Sequence, residues 1–281
     1  MSTILLVASG ILGVIVGSFL NVVIYRYNTG KGVGGRSMCM SCRKTLSWYE
    51  LLPLVSFVIQ NGRCRSCSTK LSWQYFLVEL VTGFAFTLVA NEYLVNVAVS
   101  PEQLLGVLFG FVLVSLLIVI AVYDIKHFIM PDVFVGAVAV LSFVQLFIPV
   151  LTGGELGFTV PSLGQITAGA LLPLPFLILW LVSKGRWIGF GDIKFMVAMG
   201  WLLGLRLGIT AVIFAFWIGT LWIICLYIFR SVMRFLSTRR LVGLDLHRII
   251  GKEIPFAPFL ILATLIVFIS HFDLVIFLTS F

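Results

Sequence analysis

Apolar residues run along this chain in long blocks separated by short polar intervals. A helix needs roughly 20 mostly apolar residues to cross the hydrocarbon of a bilayer. Eight stretches meet or approach that length: 3–25, 73–95, 103–122, 133–151, 163–183, 192–205, 207–229 and 257–279, the sixth being the shortest. The pattern predicts an all-α polytopic membrane protein with about eight transmembrane helices. The first stretch has no basic region before it and no small-residue cleavage site after it, so it reads as a retained helix rather than a signal peptide.

Basic residues set the orientation, because Lys and Arg in short loops stay on the cytoplasmic side. With the N-terminus outside and eight spans, every Lys and Arg except Arg206 falls inside. The opposite orientation, or one span more or fewer in the first half, scatters these charges over both faces. The formal net charge of +8 is thereby absorbed by orientation and by attraction to anionic headgroups of the membrane lipids, which leaves no call for nucleic acid. Composition agrees with the span count: 60% of the 281 residues are hydrophobic and 11% charged, too apolar for a soluble globule to bury.

The largest polar interval, 26–72, is too short to build a core without a staple. Its cysteines supply one. Cys39-Met-Ser-Cys42 and Cys64-Arg-Ser-Cys67 are two C-x-x-C turns with 21 residues between them, close to the spacing of a four-thiolate zinc site. Four thiolates close the tetrahedron, so the expected zinc is structural, in a small zinc-ribbon-like module on the cytoplasmic side. Arg43, Lys44, Arg63, Arg65 and Lys70 would offset its negative charge. Unligated thiols or a redox dithiol are the competing readings. Cys225, alone in an apolar span, reads as packing. Residues 30–35 formally fit G-x-G-x-x-G, but the βαβ context of a nucleotide fingerprint is missing, and a linker is the better reading. No internal repeat is expected.

Two acids stand out. Asp124 ends the third span in Val122-Tyr123-Asp124-Ile125-Lys126, and Asp192 begins the sixth in Gly189-Phe190-Gly191-Asp192, so the topology brings both to the cytoplasmic ends of their helices. A carboxylate at a membrane edge is costly to desolvate and usually has a partner or a task. Two carboxylates brought together share a proton, which suits hydrolysis of a peptide bond without metal or nucleophilic side chain. Gly189 and Gly191 would let an extended backbone approach, and Lys194 is grouped with them as support for the site. Asp192 could instead be an N-cap. Asp132, after Met130-Pro131, reads as a helix start. Asp124 resists that explanation, since an acid is disfavoured at a helix C-terminus.

With these residues in place, the chain resembles the bifunctional type IV prepilin peptidases, a group of membrane aspartyl proteases of the GxGD type. The likeness runs through Gly17-Ser18-Phe19-Leu20-Asn21, the cysteine quartet, Leu46-Ser47-Trp48-Tyr49-Glu50-Leu51-Leu52-Pro53, Gly62-Arg63-Cys64, and Val78-Glu79-Leu80-Val81-Thr82-Gly83. It continues through Asp124, Ile129-Met130-Pro131-Asp132, the Gly189–Asp192 motif and Ile254-Pro255-Phe256-Ala257-Pro258-Phe259. Ala257 stands where the pattern expects Gly.

The resemblance implies that Asp124 and Asp192 are catalytic and cut the leader from prepilins and pseudopilins at the cytoplasmic face of a bacterial inner membrane. It implies a second activity, methylation of the new N-terminal amine with S-adenosylmethionine as donor, tied to the half that carries the cysteines. Glu79 is a candidate residue for donor binding, with a purely structural duty as the alternative. The implied organisation is a first helix (1–25), the cysteine module (26–72), a second helix with its outer loop (73–101) and a six-helix peptidase region (102–281). Two rivals stay open: a presenilin or signal-peptide-peptidase type of intramembrane protease, and a zinc-stabilised transporter whose acids bind a cation.

Overall fold

The computed structural model describes residues 2–30, 32, 34–94, 100–148, 157–236 and 255–279. Lys31, Val33, Arg239, Arg240, Arg248, Lys252, Ile254, residues 152–156 of the outer stretch and the last residues of the second and fourth expected spans lie outside them. The described residues form ten α-helices, one 3-10 turn (Trp48–Glu50) and two isolated bridges. The helices are α1 (Ser2–Arg26), α2 (Val55–Ile59), α3 (Trp73–Tyr93), α4 (Pro101–His127) and α5 (Asp132–Val144). Then come α6 (Leu163–Leu171), α7 (Leu174–Ser183), α8 (Phe190–Leu236), α9 (Ala257–Ser270) and α10 (Leu274–Thr279).

Among the described residues the all-α expectation holds, and five helical stretches there are long and apolar enough to cross a bilayer. Three details differ from the span reading. The fourth expected span yields α5, whose 13 residues reach about 20 Å and fall short of the hydrocarbon thickness. The fifth is broken at Leu172 and Pro173, where proline removes a backbone donor and crowds the preceding turn. The eighth is split by a left-handed residue, His271 (φ 48°), into α9 and α10.

The sixth and seventh spans appear as the continuous α8, interrupted at Gly204 (φ 76°, ψ 174°), a conformation open essentially only to glycine. Side-chain neighbours show that the chain turns back there. Phe190 packs on Trp180 at 5.1 Å and the Trp201 indole N–H donates to the Ile166 carbonyl at 3.0 Å, so the first half runs antiparallel to α6 and α7. Beyond Gly204, Gly208 lies against Leu172 and Phe216 faces Phe176, so the second half runs with them. The break expected between 205 and 207 is therefore real and sits at Gly204.

Two compact units result, 1–123 with 133–161, and 124–132 with 162–281. In the first, α1 and α3 are the principal pair. A Cβ added to Gly13 would meet the Thr82 carbonyl at 2.7 Å and the Gly83 Cα at 2.8 Å, so only small residues permit this contact. Close approach through small residues is how helices associate where lipid is as apolar as they are. Phe86 stacks on Phe111 at 4.0 Å and joins α4 to the pair. In the second unit, α8 and α9 enclose Phe195, Met196, Met199, Leu260 and Ile261, all buried. An Arg206–Asp273 ion pair at 2.9 Å ties the Gly204 end of α8 to the turn before α10.

Candidate active site and metal centre

The first unit holds the cysteines. The bridges Met38–Thr45 and Arg63–Lys70 each enclose one C-x-x-C pair. The two turns are copies of each other. Cys39 N–H donates to the Lys44 carbonyl and Cys64 N–H to that of Thr69, while Arg43 and Ser68 donate back to Cys39 and Cys64. Arg43 (φ 58°) and Ser68 (φ 55°) occupy the same left-handed position in each. This repeat is one of backbone geometry, and the side chains between the cysteines carry little trace of it.

The four sulfurs lie within 4.8 Å of one another, Cys39 and Cys67 at 3.8 Å. With Zn–S bonds of about 2.3 Å, a tetrahedron sets its sulfurs about 3.8 Å apart, so the arrangement fits a four-thiolate metal. Amides of Cys42 and Ser41 aimed at Cys39 hold its thiol below the usual range. The Thr69 hydroxyl and amide draw Cys67 down to about 6. Cys42 has a hydrogen bond from the Lys44 amide acting in the same sense, yet desolvation and the neighbouring sulfurs push it up to about 11. A fourth negative charge in so small a volume calls for a cation to neutralise it.

Glu79 also lies in the first unit, 6% exposed on α3. Its Oε2 accepts the Leu54 N–H at 2.7 Å, and Ser18 is within hydrogen-bonding reach. Leu54 has φ 59° and ψ −50°, and Val55 N–H donates to the Pro53 carbonyl at 2.6 Å. That is a γ-turn of the rare, strained hand. The carboxylate thus clamps a turn of the segment that follows the first cysteine pair. Sequence reading could single out a buried acid but not the amide it holds, 25 residues away.

The second unit contains Asp124, Gly189, Gly191, Asp192 and Lys194 together. Asp124 sits in the last turn of α4 and is 5% exposed. Its carbonyl accepts from Phe128 N–H at 2.8 Å, and Phe128 closes the helix in the left-handed conformation (φ 56°). Asp192 falls in the first turn of α8, two residues inside its start, so it is not the capping residue. Its carboxylate is within electrostatic range of Asp124 and receives the Gly189 amide. A Cβ on Gly189 would come within 3.3 Å of Asp192 Oδ2, and one on Gly191 within 3.1 Å of the Met130 Cβ. Two acids more than sixty residues apart thus lie within electrostatic range of each other, with Gly189 beside the second.

Asp132 begins α5, as a helix-start acid should, but it also accepts from Lys194 Nζ at 2.8 Å. That pairing joins residues 62 apart and left no local signal in the sequence.

Residues 11–93 match the Bacterial Peptidase A24 N-terminal domain, and residues 111–224 match the Type IV leader peptidase family. A prepilin leader peptidase/N-methyltransferase of Bacillus subtilis is 31% identical over 213 residues, covering 75% of this chain and 79% of its own length. The chain belongs to the type IV leader peptidase family. Proteins of the same description from Klebsiella pneumoniae (32% identical, 68% of this chain, 82% of the relative) and Vibrio cholerae (29%, 73% and 80%) agree. No solved structure matches the chain. As a leader peptidase relative, the chain carries Asp124, Asp192 and Lys194 in its peptidase-matching part, and the quartet and Glu79 in its N-terminal match. Membership favours the leader peptidase reading over the presenilin-like and transporter readings.

Proposed function

We propose that this chain removes the leader from type IV prepilins and pseudopilins and then methylates the exposed N-terminal amine. The observation that carries the first activity is that Asp124 and Asp192 lie within electrostatic range of each other in one compact unit, one from a helix end and one from a helix start. Carboxylates within electrostatic range of each other do not both ionise readily, so in this reading one is protonated while the other is ionised. The ionised acid takes a proton from water as the water oxygen attacks the scissile carbonyl carbon. The protonated acid donates to the carbonyl oxygen. Collapse of the tetrahedral intermediate breaks the C–N bond, and the amine leaves with the transferred proton. Gly189 keeps a side chain away from the Asp192 carboxylate and leaves room there for an extended substrate backbone, whereas the space beside Gly191 is taken by Met130.

The second activity belongs to the half with the cysteines. The quartet would hold a structural zinc, closed to substrate, which fixes the loop that Glu79 clamps. S-adenosylmethionine supplies the methyl group when bound. Glu79 suits a cationic donor, being a buried carboxylate that accepts from neutral groups, the Leu54 amide and the Ser18 hydroxyl. We place both halves at the cytoplasmic face, with the N-terminus outside, because that orientation keeps the basic residues in and Arg206 out.

Mass spectrometry of a pilin matured by this enzyme tests the pair of activities at once. The expected product lacks the leader and carries one added methyl group. Glu79→Gln should yield pilin that is cut but unmethylated, with weakened equilibrium binding of the donor. A product cut yet unmethylated with the wild-type enzyme would reduce the function to cleavage alone.

A further inference from the structure

The segment from Asp124 to Asp132 does more than connect two helices. After Phe128 turns the chain at the end of α4, Met130 is buried against Gly191, the residue before Asp192. Two residues further on, Asp132 Oδ1 takes the Lys194 ammonium at 2.8 Å, and Lys194 is two residues beyond Asp192. Lys194 Nζ also lies 5.2 Å over the Phe190 ring, which packs on Trp180 and so restrains the lysine. Asp192 is therefore bracketed, with an apolar contact on one side and an ionic one on the other. Both contacts come from the segment that begins at Asp124.

The side chains of Lys194 and Asp132 are 40% and 71% exposed. An ion pair so open to water adds little to the stability of a fold. Alignment is another matter, because small displacements of reacting groups change rates steeply. We propose that Asp132 and Lys194 are positioning residues for cleavage: their ion pair, with Met130 seated on Gly191, clips the Asp124–Asp132 segment to the start of α8 and fixes the two carboxylates relative to each other. This inference rests on the reading of Asp124 and Asp192 as the cleaving pair.

The test is leader removal from a purified prepilin by the full-length, detergent-solubilised enzyme, comparing Lys194→Met, Asp132→Asn, the double variant and the charge exchange Lys194→Asp with Asp132→Lys. Each single change should lower kcat by about tenfold or more while KM and the thermal midpoint stay near wild type. The double variant should be no worse than either single one, and the exchange should recover several-fold, since the two side chains act as one unit. Wild-type kcat in the single variants would overturn the proposal. So would losses that multiply in the double variant without recovery on exchange, which would mean that the two residues act separately. Asp192→Asn run alongside distinguishes the levels: if it still cleaves, the assignment of the acids falls and the clip with it. If it is dead while Lys194→Met is fully active, only the clip falls.

Discussion

Gly191 shows how little tolerance the site has at the scale of one residue. Its missing side chain is the space that Met130 fills, and a Cβ there would come within 3.1 Å of Met130 Cβ. Gly191→Ala should therefore fold, push the Met130 backbone segment by a few tenths of an ångström and slow leader cleavage, by up to about a hundredfold if the acids move by 1 Å. A steady-state comparison of kcat checks it. Asp124, Asp192 and both glycines could be picked from the sequence because an acid at a helix C-terminus, and glycines before an acid, are locally odd. The Met130–Gly191 and Asp132–Lys194 contacts could not, since nothing within a few residues of either partner announces the other.

Among the elements, α8 best separates what hydrophobic pattern conveys from what backbone conformation decides. The apolar run is nearly continuous from 190 to 229, and the turn rests on one residue, Gly204, in a conformation that side chains disfavour. Gly204→Ala should cost about 1–3 kcal/mol of stability, read as a lower thermal midpoint in detergent, while leaving Asp124 and Asp192 chemically intact. Gly13→Val attacks the other unit. Its branched side chain would enter the Thr82 backbone, so α1 and α3 must separate, and resistance to proteolysis should fall. Span positions were legible because bilayer thickness imposes a length on apolar blocks. The shortness of α5 was less so, because apolar residues continue beyond Val144, whereas the breaks at Pro173 and at Ser270–Asp273 have local marks, a proline and a short polar run, inside otherwise apolar blocks.

At the scale of the whole molecule, the acids belong to one compact unit, and the cysteines with Glu79 to the other. Removing the metal should therefore affect methylation before cleavage. Cys67 is drawn down to about 6 and so favours the thiolate at neutral pH, and Cys39 is held below the usual thiol range. As pH falls through this range protons displace the metal, and zinc content should drop on acidification rather than on alkalinisation. Metal analysis after dialysis at stepped pH, or of Cys42→Ser, measures it, with one zinc per chain expected for wild type near pH 7.

The central claim is that Asp124 and Asp192 act together on one peptide bond. Leader removal from a purified prepilin, followed on a gel in membranes carrying wild type, Asp124→Asn or Asp192→Asn at equal abundance, tests it most directly. Each substitution alone should cut the rate by about 10²- to 10⁴-fold, and the double variant should be no worse than the single ones. Full cleavage by either single variant would contradict it.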